Sequence, residues 1–108
     1  MIQRYDVAII GTGPAGLSAA VTLKIRNKNI LLLGNRNLSK KVEKAHQINN
    51  YLGLPAISGK DLCKKFQEHI DQLGIEIMEE RATTIYLMGD YYGLLLSNNE
   101  MVEATTVI

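Results

Sequence analysis

Three glycines carry the most chemical promise in this chain. Gly11, Gly13 and Gly16 stand at Gly-x-Gly-x-x-Gly spacing, directly after the apolar run Val7 to Ile10 and directly before a small-residue helical stretch. Strand, glycine turn and helix in that order form the setting in which such a triplet cradles a dinucleotide pyrophosphate. Gly11 permits the tight turn, Gly13 lets phosphate approach the backbone, and Gly16 lets helix and strand pack closely. Pro14 suits the first helical turn, where a missing N–H costs nothing. Ala15 completes a helix start whose unpaired amides and positive dipole end face the ligand. A glycine turn without a ligand is the plain alternative, and the strand–helix context speaks against it.

The other reactive side chains promise less. Cys63 is the single cysteine, and disulfide exchange needs two thiols as Cys-x-x-Cys. It sits at the edge of a helical apolar stripe and is expected to be a buried, inert thiol. His69 shares that stripe and is expected to pack at the core or its boundary. His46 lies in a lysine-bearing stretch and is a weak candidate for touching a cofactor. No histidine or cysteine stands at metal-ligand spacing, no serine–histidine–carboxylate set is evident, and no P-loop pattern occurs. Met78, Met88 and Met101 read as core filler.

Composition narrows the class further. The 108 residues suffice for one modest core, and a net charge of +1 argues against a nucleic-acid partner. No run approaches the roughly 18 apolar residues of a membrane span. Met1-Ile2-Gln3-Arg4 leads straight into a strand, so no signal peptide is expected. With one cysteine, a reducing cytoplasm is the expected compartment.

The positioning elements follow from periodicity. A strand covers about residues 5–10, a helix about residues 14–26, and a buried strand Ile30–Leu33 ends at Gly34. From Asn35 to Ser58 the pattern is irregular and reads as mostly loop. A second helix opens at Ser58-Gly59-Lys60-Asp61, with Ser58 or Asp61 as N-cap. Leu62, Phe66, His69, Ile70 and Leu73 should face the core, and Gly74 should end this helix. A short strand, Ile75–Met78, precedes an antiparallel meander with turns at Gly89-Asp90 and Asn98-Asn99. Thr105–Ile108 then reads as a further strand that the sequence leaves unfinished, as in a cut chain. The class is α/β: a Rossmann-like βαβ with a parallel sheet plus a small antiparallel meander.

This order resembles the opening of a flavoprotein FAD domain, and more narrowly the N-terminal part of the low-molecular-weight thioredoxin reductases of the pyridine nucleotide–disulfide oxidoreductase superfamily. Tyr5 to Leu17 is similar to that family's first strand and fingerprint. Ile48-Asn49-Asn50-Tyr51-Leu52-Gly53 resembles its Val-Glu-Asn-aromatic-Pro-Gly segment, and Ile57-Ser58-Gly59 its Ile-Ser-Gly helix opening. The resemblance implies that residues 1–108 are an incomplete FAD-binding domain, with the Cys-x-x-Cys nucleotide domain absent. It implies FAD held by Gly11, Gly13, Pro14, Ala15 and Gly16, with Asn50 and Tyr51 near the flavin and no catalytic residue here; Gly34 and Asn35 join the expected cofactor-binding set by their place at the tip of the second strand. For Asn50 and Tyr51 a loop-anchoring role is the alternative. In the whole enzyme, electrons from NADPH or ferredoxin would pass through flavin to a thioredoxin-like disulfide, in a homodimer. The chain alone would be inactive, would bind FAD weakly, and would self-associate through open sheet edge. Two other readings stay open: another FAD- or NAD(P)H-dependent oxidoreductase of the same fold, and a short non-catalytic nucleotide-binding or interaction module.

Two departures from the family pattern bear on the site. No acid follows the second strand before Glu43, although a carboxylate about 20 residues past the glycines usually grips the ribose. Backbone groups at Gly34 and Asn35, or the Asn35 amide, could substitute. Arg36 suggests either a 2′-phosphate contact or a plain exposed arginine. Leu38-Ser39-Lys40-Lys41 replaces the family's Gly-Gly-Gln-Leu, resembling divergent members that take electrons from ferredoxin. Lys40, Lys41 and Lys44 would suit an acidic partner, against the alternative of a solvated basic loop.

Overall fold

The computed structural model describes residues 2–108. In chain order the elements are β1 (Arg4–Ile10), α1 (Pro14–Ile25), β2 (Ile30–Leu33), α2 (Lys40–Glu43), α3 (Gly59–Gln72), β3 (Ile77–Met78), β4 (Ala82–Leu87), β5 (Tyr92–Leu96) and β6 (Met101–Val107). One six-stranded sheet contains every strand, in the order β3-β2-β1-β6-β5-β4. β1 lies parallel to both β2 and β6, and β2 parallel to β3. β5 pairs antiparallel with β4 and β6. The expected parallel sheet and meander are therefore continuous, joined through β6.

That joint corrects one expectation. Thr105–Val107 is no separate strand but the second half of β6, because no turn residue interrupts Ala104-Thr105. The register runs on from Arg4↔Glu103 to Ala8↔Val107. The Ile10 amide then donates to the Ile108 carbonyl at 2.8 Å. β6 lies between β1 and β5, and the outer strands are β3 and β4.

Alternation of side chains along the sheet makes two cores. Val7, Ile9 and Leu32 face α1 and α3, where Leu17, Ala20 and Ile70 cover them. Ala8, Leu31 and Leu33 face the other way and meet Leu94, Leu96, Val102 and Ala104 of β5 and β6. The meander thus covers the face that the helices leave open. Each fully buried leucine of this kind contributes about 1.5–3 kcal/mol.

Both long helices end as their sequences require. α1 stops at Asn27, with φ of 61°, and α3 at Gly74, with φ of 66°. At each end two amides fold back: Lys28 to the Leu23 carbonyl and Asn27 to Lys24, then Ile75 to Ile70 and Gly74 to Asp71. These pairs satisfy carbonyls that a frayed end would leave bare. Ser58 caps α3, its Oγ accepting from the Asp61 amide at 3.1 Å.

Three side chains depart from expectation. His69 is exposed, because it lies on the flank of the α3 stripe whose centre is Leu62 and Ile70. Met88 and Met101 are 50% and 38% exposed; they occupy the outer face of the meander, whose inner face alone meets the sheet. Met78 packs against the second core as expected. Between Asn35 and Ser58 the chain is mostly loop. The exceptions are the single turn α2 and a bridge in which Ile48 and Ile57 exchange hydrogen bonds of 2.7 and 3.2 Å.

Candidate cofactor site at the glycine turn

β1 delivers the chain to the turn in a conformation that only glycine tolerates well. Gly11 has φ of +117°, and its amide donates to the Leu33 carbonyl at the tip of β2, at 2.8 Å. A Cβ on Gly16 would collide with the Gly11 carbonyl, so α1 can start this close to β1 only without a side chain there. Gly13 serves differently. It is extended, it caps α1 without a side chain, and a Cβ on it would meet only Ser39 Oγ, at 3.8 Å. Its bare face opens on a cleft. Pro14 follows at the helix start, and the amides of Ala15 and Gly16 meet no acceptor among the described residues.

Thr12, which the motif leaves unspecified, builds the wall between β1 and β2. It is 7% exposed. Its Oγ1 accepts from the Asn35 amide at 3.2 Å and donates to the Asn35 carbonyl at 3.1 Å. A Cβ on Gly34 would strike the Thr12 side chain, so Gly34 is required for this clamp. The Gly34 amide donates to Met78 at 3.2 Å. With both amides engaged, the exposed Asn35 side chain is the group at this tip left free for a hydroxyl.

The segment that replaces Gly-Gly-Gln-Leu forms the far wall. Leu38 is buried in the helix-side core, and Ser39 turns at φ of 22°. The Ser39 amide and hydroxyl both donate to the Thr12 carbonyl at 3.4 Å. α2 is then seated on the start of α3: the Gly59 amide donates to the Ala45 carbonyl at 2.9 Å, and a Cβ on Gly59 would collide with the Val42 carbonyl. The open cleft so formed has a volume of about 480 Å³. Gly13 and Pro14 line one side, Asn35 and Asn37 another, and Lys40 and Lys41 the third.

The remaining candidates lie outside it. Pro14 is also the ridge to a neighbouring cavity of about 170 Å³, lined by Tyr51, Phe66 and His69. Tyr51 packs on Phe66, ring centroids 5.8 Å apart and tilted by 55°. Asn50 and His46 are exposed and line neither cavity. Arg36 is exposed and turned toward Glu79, with Nε 3.5 Å from Oε1. A larger cavity of about 630 Å³ opens beside β2 and β3 near Lys28 and Glu76. The end of α3 at Gly74 reaches it but no helix start does, so its size alone gives it no chemistry. Among the described residues no three His, Cys, Asp or Glu side chains gather as a metal site, and no helix is long and apolar enough to cross a membrane.

Cys63 is half-buried, its Sγ 3.8 Å from the Ser39 carbonyl. Burial, and secondarily the nearby Glu43 carboxylate, push its thiol pKa above the ordinary value. It therefore stays protonated at neutral pH. Its alkylation by iodoacetamide at pH 8 should run several-fold slower than that of free cysteine, and a stopped-time mass measurement checks this.

Comparison with known proteins places this geometry. Residues 6–40 match the family model described as FAD binding domain. A thioredoxin reductase of Ureaplasma parvum is 34% identical over 104 residues, which are 96% of this chain and 34% of that protein. A ferredoxin-flavin thioredoxin reductase of Clostridium acetobutylicum superposes with a TM-score of 0.93 at 54% identity, over 98% of this chain and 37% of its own. In fold and in sequence the chain is similar to a part of these thioredoxin reductases, and its residues 6–40 to an FAD-binding domain. A thioredoxin reductase of Streptococcus pyogenes agrees, with a TM-score of 0.86 at 30% identity over 99% of this chain and 35% of its own. The chain spans about a third of the length of these relatives. The residues fit the cofactor that the family name states. Gly13 leaves open the space that a Cβ would fill, beside helix amides without acceptors and two lysines.

Proposed function

We propose that this chain holds FAD through the glycine turn, as part of a flavoprotein that reduces the disulfide of thioredoxin or a similar protein. The bare face of Gly13, opening on a cleft beside the free amides of α1, carries this reading. Bound flavin would supply the two-electron chemistry; the chain's own residues bind and orient. Gly11 and Gly16 fix the turn, and Gly13, Ala15 and Gly16 present backbone to the pyrophosphate while Pro14 borders it. Gly34 seats Thr12, and the Asn35 side-chain amide would bind the ribose in place of a carboxylate. Asn50 and Tyr51 belong to a loop beside the cleft, Tyr51 anchored on Phe66, and would border the flavin from there. As the electron donor we propose a ferredoxin rather than a pyridine nucleotide. The identity of 54% to a ferredoxin-flavin enzyme, against 30% to the streptococcal thioredoxin reductase, supports that branch.

Titration of the chain with FAD, FMN and riboflavin, followed by flavin fluorescence polarisation, tests the site. FAD is expected to bind at least tenfold more tightly than riboflavin, since only FAD spans the cleft with a pyrophosphate. Equal affinities for all three would remove the glycine turn from the account.

A further inference from the structure

We propose that Lys40 and Lys41 hold the pyrophosphate of the bound dinucleotide by charge, so that affinity here comes from phosphate rather than from a carboxylate grip on the ribose. This rests on the FAD reading of the cleft. Lys40 and Lys41 are the charged residues lining it, and no Asp or Glu lines it. Neither ammonium is ion-paired: among the described residues the salt bridges join Arg4 to Glu103 and Arg36 to Glu79. The lysines also stand opposite the start of α1, whose dipole adds about half a positive charge to the same space. A dianion is the complement of that arrangement.

The position of the lysines is built rather than incidental. α2 is one turn long and would not hold its shape alone. It is fastened at one end by Ser39 on the Thr12 carbonyl and at the other by the close approach of Val42 to Gly59. Thr12 in turn clamps Asn35, so the turn, the tip of β2 and the lysines form one connected frame. The tip of β2 has Asn35 where an acid would grip the ribose. A carboxylate there would share the cleft with two phosphate charges and the lysines; the asparagine leaves the lysines to the phosphates alone.

The test measures FAD, FMN and riboflavin affinities of the 108-residue chain at low and high salt, for wild type, Lys40→Met, Lys41→Met, the double variant and Lys44→Met. Circular dichroism checks that each variant is folded. Each single substitution in the cleft is expected to weaken FAD about fivefold at low salt and the double about 30-fold, the scale of partly exposed charge-assisted contacts. The double variant should also flatten the salt dependence, while riboflavin affinity stays unchanged. Lys44→Met, outside the cleft, should match wild type. A double variant with wild-type FAD affinity and salt slope would overturn the proposal and leave the FAD reading standing. So would an equal loss for riboflavin, which would mark a purely structural role. A wild-type chain that binds no FAD at any salt would overturn the FAD reading, and this proposal with it.

Discussion

Gly16→Ala is expected to destabilise the fold by about 2–3 kcal/mol and to abolish FAD binding, whereas Gly13→Ala should abolish binding with little loss of stability. The difference is geometric. A Cβ at residue 16 meets the backbone carbonyl of Gly11, which cannot rotate away, so α1 must lift from β1. Forced overpacking of this kind typically costs about 1–3 kcal/mol, and here it also prises Leu17 and Ala20 from the core they share with Ile9. At residue 13 the new Cβ meets only Ser39 Oγ at ordinary contact distance, and φ of −77° suits any residue. Its methyl fills the place where phosphate should lie. Urea denaturation of both variants, with FAD titration alongside, separates the two effects. Equal stability losses would contradict the close packing of α1 on the turn.

Gly59→Ala should cost about 3 kcal/mol as well, by a different route. Its Cβ would collide with the Val42 carbonyl and crowd that of Ala45, so the helix N-terminus and α2 cannot remain in contact. The α3 cap at Ser58 and the position of Lys40 and Lys41 both depend on that contact. Binding of FAD should weaken even at temperatures where the variant is fully folded, because the lysine wall of the cleft shifts away. Thermal unfolding gives the first effect and low-temperature titration the second. A variant with lowered Tm and wild-type affinity would show that α2 takes no part in the site.

The parts of this fold that were legible in the sequence are those whose chemistry is local. Ile30–Leu33 reads as a strand because Asn29 and Gly34 bound an unbroken apolar run, and those are its observed ends. α3 is delimited by a capping Ser58 and a left-handed Gly74, both visible as residue types. The glycine turn is legible for the same reason, its spacing encoding a backbone shape. What stayed hidden depends on partners far along the chain. Thr12 occupies an unspecified position of the motif, and only the approach of Asn35, 23 residues later, gives its hydroxyl a task. α2 has too few residues for a periodic signal and exists through contacts with α3. The continuity of β6 was obscured because residues 101–104 pair with β5 and residues 103–107 with β1, so its pattern of burial changes along its length. Met88 and Met101 look like core residues by type, yet they lie on a second face of the meander that the described residues leave largely exposed.

The account turns on where FAD meets the backbone, and amide chemical-shift mapping of the ¹⁵N-labelled chain during an FAD titration reads that directly. The amides of Gly13, Ala15 and Gly16 should move most and together, with Asn35, Lys40 and Lys41 next, and those of the outer strand β4 should stay fixed. Shifts concentrated elsewhere, in the cavity beside β2 and β3 around Lys28 and Glu76, with the glycine turn unmoved, would contradict it.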